Sequence, residues 1–174
     1  PPSTPHESSA ASDVYKRQDL MGGEETFTQK LDSLFTISSE LDDDASVDIS
    51  GMIGQYAHGN EPSHHVAYLY SYAGKQYKTA PIIRTINNTL YTDQPDGLSG
   101  NEDCGQMSAW YIFSSIGFYP VNPTNGLYVF GSPLFDEVKI NLPQEKQFII
   151  KTENNSDSNT VSYTHLRAHE TTLD

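Results

Sequence analysis

The sequence is short of several things at once, and each shortage removes a class of protein. Basic residues are scarce: 10 Lys and Arg stand against 23 Asp and Glu, a formal net charge of −13. A nucleic-acid-binding face needs clustered Lys and Arg to replace phosphate counterions, so that class is excluded. An anionic membrane surface would repel the chain as well. Neutral or cationic ligands, such as sugars and metal ions, suit an acidic chain, although acidity also simply confers solubility. The single cysteine, Cys104, excludes an internal disulfide and leaves the redox compartment open. No run approaches the roughly 20 apolar residues of a membrane span. There is no initiator Met, and no apolar segment follows Lys16-Arg17 as a secretion signal requires. Hydrophobic residues make up only 36% of the 174, so part of the chain is expected to lie outside any core.

The two ends supply that part. Residues 1–18 (PPSTPHESSAASDVYKRQ) are rich in Pro and Ser and have no apolar period, and residues 161–174 (VSYTHLRAHETTLD) lack strand alternation. Both read as adapter-like tails foreign to the fold and are set aside. Three of the six histidines, His6, His165 and His169, lie there, so histidine content is no argument for a metal.

Between the tails the pattern is α+β. Phe27, Leu31, Leu34 and Phe35 mark one helical face, followed by a polar connection containing Asp42-Asp43-Asp44. Pro62 is expected to open a second helix, with Val66, Leu69, Tyr70 and Ala73 inward and Gly74 as its stop. Pro81 is expected to begin a third, with Ile82, Ile83, Ile86 and Leu90 inward. After a turn-rich loop, a fourth helix is expected over about Gln106 to Ile116, ended by Gly117. Three short β-type runs follow, at 127–130, 138–142 and 148–151. Successive helices with polar loops suit an α/α barrel, but four cannot close one. The expected fold is thus an incomplete domain: a helical region at 19–122 and a β-strand region at 123–160.

Two loops concentrate chemistry. His58-Gly59-Asn60-Glu61-Pro62-Ser63-His64-His65 gathers three histidines, an amide and a carboxylate at a helix start. Asn60 and Glu61 have the oxygens to bind sugar hydroxyls or a hard cation. A zinc site on His58, His64 and His65 is conceivable, yet adjacent His64 and His65 point about 100° apart on a helix. Alternatively Asn60 or Ser63 caps the helix and the histidines serve the core. The second loop, Asp93 to Gln106, holds Glu102 and Asp103 just before a helix, with Gly100 and Gly105 loosening the backbone around them. Such acids either complement the helix dipole or activate water. Asp96-Gly97 reads as a turn, and Cys104 as a lone thiol without a catalytic setting. Trp110, Tyr111, Phe118 and Tyr119 are either sugar-stacking faces or core.

At these residues the sequence resembles glycoside hydrolase family 92. The similar stretches are YAHGNEPSHHVAYLYSYAG (56–74), DGLSGNEDCGQMSAWYIFSSIGFYPVNP (96–123) and YVFGSPLFDEVKI (128–140), within a resemblance running from about Asp19 to Thr160. The resemblance implies a piece of a Ca²⁺-dependent, inverting, exo-acting α-mannosidase that trims N-glycans or mannan. Such an enzyme would be periplasmic, cell-surface or secreted in a bacterium. It further implies a catalytic unit pairing a β-sandwich with an (α/α)6 barrel, of which this chain would hold the late helices and the first strands beyond. The N-terminal sandwich, the rest of the barrel and the upstream general acid would be missing. On that reading Asp103 is the general base with Glu102 its competitor. His58, Asn60, Glu61, His64 and Asn101 touch substrate, and Asn60, Glu61 and Asp103 approach the calcium, in part through water. Two other readings compete: a non-catalytic carbohydrate-binding fragment, and the zinc hydrolase.

Overall fold

The computed structural model describes residues 18–40, 49–124 and 126–156. The expected tails lie outside these residues except for Gln18, which is buried and donates from Nε2 to the Tyr72 carbonyl (3.2 Å). The element order is α1 (Glu24–Thr36), β1 (Met52–Ile53), β2 (Tyr56–Ala57), α2 (Leu69–Tyr72), α3 (Gln76–Thr89), α4 (Gln106–Ile116), β3 (Phe118–Asn122), β4 (Leu127–Phe130), β5 (Glu137–Asn141) and β6 (Gln147–Lys151). The strands form three separate antiparallel pairs, β1–β2, β3–β4 and β5–β6.

Helix α1 buries Phe27 and Leu31 against Leu69, Tyr70 and Ala73, as its apolar period requires. Its other face is tied down by polar groups. Tyr70 donates its hydroxyl to Asp32 (3.0 Å), and Lys78 Nζ lies 2.6 Å from the same carboxylate. A second cluster centres on Trp110, with Tyr56, Ala67, Tyr68, Ile83, Ile86 and Tyr119. The chemistry-bearing loops are anchored on this second cluster.

Three expectations need correction. The helix from Pro62 is broken into tight turns at Glu61–Ser63 and Val66–Tyr68 before the single α-turn of α2. Its bonds run three residues back, as from His64 N–H to Glu61 O (3.0 Å). Pro81 does not start α3 but sits inside it; the preceding turn from Gln76 is already helical, and the ring forfeits one backbone bond there. The strand Phe118–Asn122, with Pro120 within it, was not expected, and it is the partner of β4. The run expected to end at Leu142 pairs with β6 through Asn141↔Gln147. Helix α4 matches the expected bounds, and Gly117 follows it at φ +109°, a left-handed turn that starts β3.

Arg84 links the helices to the strand region. It is 8% exposed and donates from Nε to Ser132 Oγ (2.9 Å), from Nη2 to the Pro133 carbonyl (2.6 Å), and to Asn155 Oδ1. A buried guanidinium fork that satisfies several acceptors at once is costly to remove. Arg84→Met is expected to lower stability by about 2–4 kcal/mol in denaturant titration. Arg84→Lys should recover little, because an ammonium cannot reproduce the fork. A loss below about 1 kcal/mol for Met would refute the anchoring role.

Candidate active site

The loop before α4 turns sharply. Asp103 (φ +45°), Cys104 (φ +58°) and Gly105 (φ +91°) are three consecutive left-handed residues. Two of them carry side chains, a conformation that costs roughly 1–2 kcal/mol per residue. The turn sends two adjacent carboxylates in different directions. Glu102 folds forward over the first turn of α4, accepting from Ser108 N–H (3.0 Å) and Ser108 Oγ (2.7 Å). Asp103 instead lines a pocket of about 600 Å³ together with Glu61, Pro62, His64, His65, Gln106, Trp110 and Tyr119. Glu102, expected as an alternative base, is therefore occupied as a helix cap and contributes nothing to the pocket wall.

Asp103 and Glu61 meet across this wall. Hydrogen bonding between the two carboxyl groups is the main cause of an Asp103 pKa above the usual Asp value, with burial and the Glu61 charge adding to it. Residues forty-two positions apart thus form one acidic pair. Asn60 and Asn101, expected to touch substrate, are exposed and absent from the wall. No side-chain cap from Asn60 forms; Ser63 Oγ donates to the carbonyls of Ala57 (2.6 Å) and Asn60 (2.7 Å) instead.

The histidines divide. His65 and His64 line the pocket; His58, expected to touch substrate, is fully buried and absent from its wall. Tyr91 gives its proton to the Met107 carbonyl (3.1 Å), so it accepts from His58 Nε2–H (2.6 Å). His58 Nδ1 then accepts from the Tyr56 hydroxyl (2.8 Å). His64 donates Nε2–H to the His58 carbonyl (3.0 Å) and accepts at Nδ1 from Gln106 (3.1 Å), whose amide also reaches Tyr119 Oη (3.3 Å). The two imidazoles stack at 4.6 Å with both nitrogens of each engaged. Zinc would have to break these bonds, and among the described residues no group of three or more His, Cys, Asp or Glu is placed to hold a metal. Trp110 forms the floor, fully buried, donating Nε1–H to the His64 carbonyl (3.0 Å).

Gln106 and Tyr91 are the supports that sequence reasoning missed. Gln106 follows Gly105 as the first residue of α4, so only its facing of His64, forty-two positions away, reveals it. Burial, with a smaller contribution from His64, lowers the His58 pKa to about 3. A group with a depressed folded pKa contributes stability above its unfolded pKa near 6.5 and loses it as pH falls towards 3. The loss approaches about 1.4 kcal/mol per pH unit below 6.5. Amide exchange over residues 56–64, corrected for intrinsic rates, is expected to accelerate from pH 6.5 to 4. Burial lowers the His64 pKa as well, so in His58→Gln the acceleration should shrink but not vanish; if it is unchanged, His58 is not a source of it.

Exposed carboxyl groups in a pocket lined by aromatic side chains are common equipment of proteins that bind and cleave glycosides. The chain belongs to glycosyl hydrolase family 92, whose catalytic domain matches residues 5–171. A family GH92 α-mannosidase of Bacteroides thetaiotaomicron, solved in complex with mannoimidazole, is 46% identical with a TM-score of 0.73, over 84% of this chain and 20% of that one. Another structure of that enzyme gives 43% identity and a TM-score of 0.72, over 91% and 23%. A family GH92 inverting mannosidase from the same organism gives 39% and 0.66, over 80% and 20%. An uncharacterized secreted glycosidase of Arthroderma benhamiae is 35% identical over 85 residues, 49% of this chain and 11% of the fungal protein. The chain therefore spans between a tenth and a quarter of the length of these relatives.

Proposed function

We propose that this chain is part of an inverting, Ca²⁺-dependent, exo-acting α-mannosidase and carries the base side of its active site. Asp103 is the general base. The observation that carries this reading is the divergence of the adjacent acids: Glu102 caps α4 while Asp103 faces Glu61 in the pocket. Its polar loop leaves Asp103 open to solvent, where an ionised carboxylate can take a proton from water.

Glu61 is not the matching acid. An inverting pair stands about 6.5–9.5 Å apart to admit water, whereas Glu61 lies near enough to Asp103 to be the main cause of its raised pKa. The acid comes from elsewhere in the complete protein, along with the remaining barrel helices and the N-terminal sandwich. The helices described here are late members of an (α/α)6 barrel.

Two touching carboxylates suit a hard cation, because a bound positive charge relieves their repulsion. Glu61 and Asp103 would hold calcium, with Asn60 beside them. Ca²⁺ takes six to eight oxygens, so water and carbonyls complete the shell. Calcium held there would supply positive charge to draw the sugar's hydroxyls toward the pocket. Trp110 and Tyr119 close the pocket floor and exclude water from beneath. The substrate is an α-mannoside of the N-glycan or mannan type. Action outside the cell, in a bacterium, agrees with the secreted fungal relative and the bacterial mannosidases.

The test is the complete enzyme acting on an α-1,2-linked mannobiose. Proton NMR should show β-mannose as the first-formed sugar, and a chelator should abolish turnover until Ca²⁺ is restored. Retention of the anomeric configuration, or turnover indifferent to chelator, would sink the reading.

A further inference from the structure

The loops bearing Glu61 and Asp103 cross each other close to both residues, and the crossing is tight. His58 N–H bonds the Gly51 carbonyl (2.9 Å), and Gly59 N–H bonds the Ser50 carbonyl (3.1 Å). These bonds press the 58–61 segment onto residues 50–51. The second loop lies across the same point. A Cβ on Gly59 would stand 2.5 Å from the Ser99 carbonyl oxygen and 2.2 Å from Ser50 Oγ. One on Gly100 would stand 3.4 Å from the Gly59 carbonyl oxygen and 3.0 Å from Ser50 Oγ. The Ser50 hydroxyl fills the gap between the two glycines, buried and without a hydrogen-bond partner. Ser99 is held from behind by its own Oγ, which donates to the Leu90 carbonyl (3.2 Å). The contact at Gly59 is therefore with fixed backbone on one side, and turning a side chain would not relieve it.

We infer that Gly59 is a positioning residue for Asp103: its bare Cα lets the two loops cross at backbone distance and so sets the approach of Asp103 to Glu61. Glu61 is two residues beyond Gly59, and Asp103 three beyond Gly100, so a shift at the crossing has little chain in which to dissipate. Because Gly59 is not in the left-handed region, an alanine there meets no backbone strain, only the clash. Moving a Cβ–oxygen contact from 2.5 Å to an ordinary separation requires a displacement of about 1 Å, enough to cost roughly 10²-fold in a positioned reaction. The inference rests on the proposed role of Asp103, but its structural half does not.

The test compares Gly59→Ala with Gly54→Ala in the complete enzyme. Gly54 is as crowded, with a Cβ position 2.5 Å from the Leu34 carbonyl oxygen, and its φ of +59° adds backbone strain, so its variant is the harsher one for stability; but it packs the β1–β2 turn on α1 rather than the base loop. Both variants should lose thermal stability. Gly59→Ala should lose about 10²-fold in kcat with KM changed less than about threefold. Its crystal structure should show residues 99–103 shifted away from Glu61. Gly54→Ala should keep the kcat of its folded fraction. Equal kcat in the two variants, or an unmoved 99–103 loop in Gly59→Ala, overturns the inference. If the wild-type enzyme turns over no mannoside, the functional reading fails, while the loop displacement still decides whether the crossing positions Asp103.

Discussion

Asp103→Asn in the complete enzyme is expected to lower kcat by about 10²–10⁴-fold while KM changes far less, because a general base acts mainly in the transition state. Asparagine keeps the shape and one acceptor oxygen but cannot take a proton from water. Its amide still reaches Glu61, so the pocket wall stays intact, and assays at saturating Ca²⁺ separate loss of the base from weaker metal binding. Glu102→Gln is the informative contrast. Its side chain already accepts from Ser108 N–H and Ser108 Oγ, and a glutamine oxygen can keep the backbone bond. A small stability loss, of about 1 kcal/mol or less, is expected there, with kcat within a few-fold of the wild type. Steady-state kinetics and thermal melts on the two variants separate the roles. If Glu102→Gln loses more turnover than Asp103→Asn, the base is Glu102 and the cap must release it during the reaction.

That distinction was not legible in the sequence, where the two acids are neighbours before a helix and either could face a ligand. The left-handed turn at Asp103 and Cys104 sends the two side chains apart; Asp visits that region more readily than most residues, but Cys does not, and nothing local signals two such residues in succession. Helix α4 was legible because Met107 and Trp110 sit on one face and Gly117 ends it. Helix α1 showed the same kind of signal. The strand at Phe118–Asn122 was hidden by Pro120, which weakens strand propensity, and its existence depends on pairing with β4. The residues alone left His58 open between the core and a ligand, and the family resemblance put it against substrate. Its burial depends on Tyr56 and Tyr91, the second of them thirty-three positions away, closing over both ring nitrogens. Local pattern reports which face of an element is apolar. It does not report which polar group a distant tyrosine will satisfy.

The 174-residue chain by itself is expected to give no sustained hydrolysis of an unactivated α-mannoside. Its acidic pair is too close to act as acid and base in an inverting reaction, and Glu102 is engaged as a cap. Without a proton for the departing oxygen, the sugar–oxygen bond must break to a poor leaving group. Positioning is weakened as well. Ile112 on α4 is 56% exposed, and Leu127, Tyr128 and Phe135 are at least half exposed, which is apolar surface that further helices or sheet would cover. Among the described residues β5 and β6 form a ladder of two strands only, so association through its edges competes with a defined monomer. The assay needs two substrates with millimolar Ca²⁺: an aryl α-mannoside with an activated leaving group, and an α-1,2-mannobiose. An activated leaving group bypasses much of the acid's work, so slow release of the aryl group is compatible with a base acting alone. Turnover of the disaccharide is not. If the disaccharide is cleaved, and the cleavage stops with chelator and resumes with Ca²⁺, a general acid lies within these residues. Glu61 is then the first residue to replace, since it shares the pocket with Asp103 and a conformational change that parts them would give it room to act.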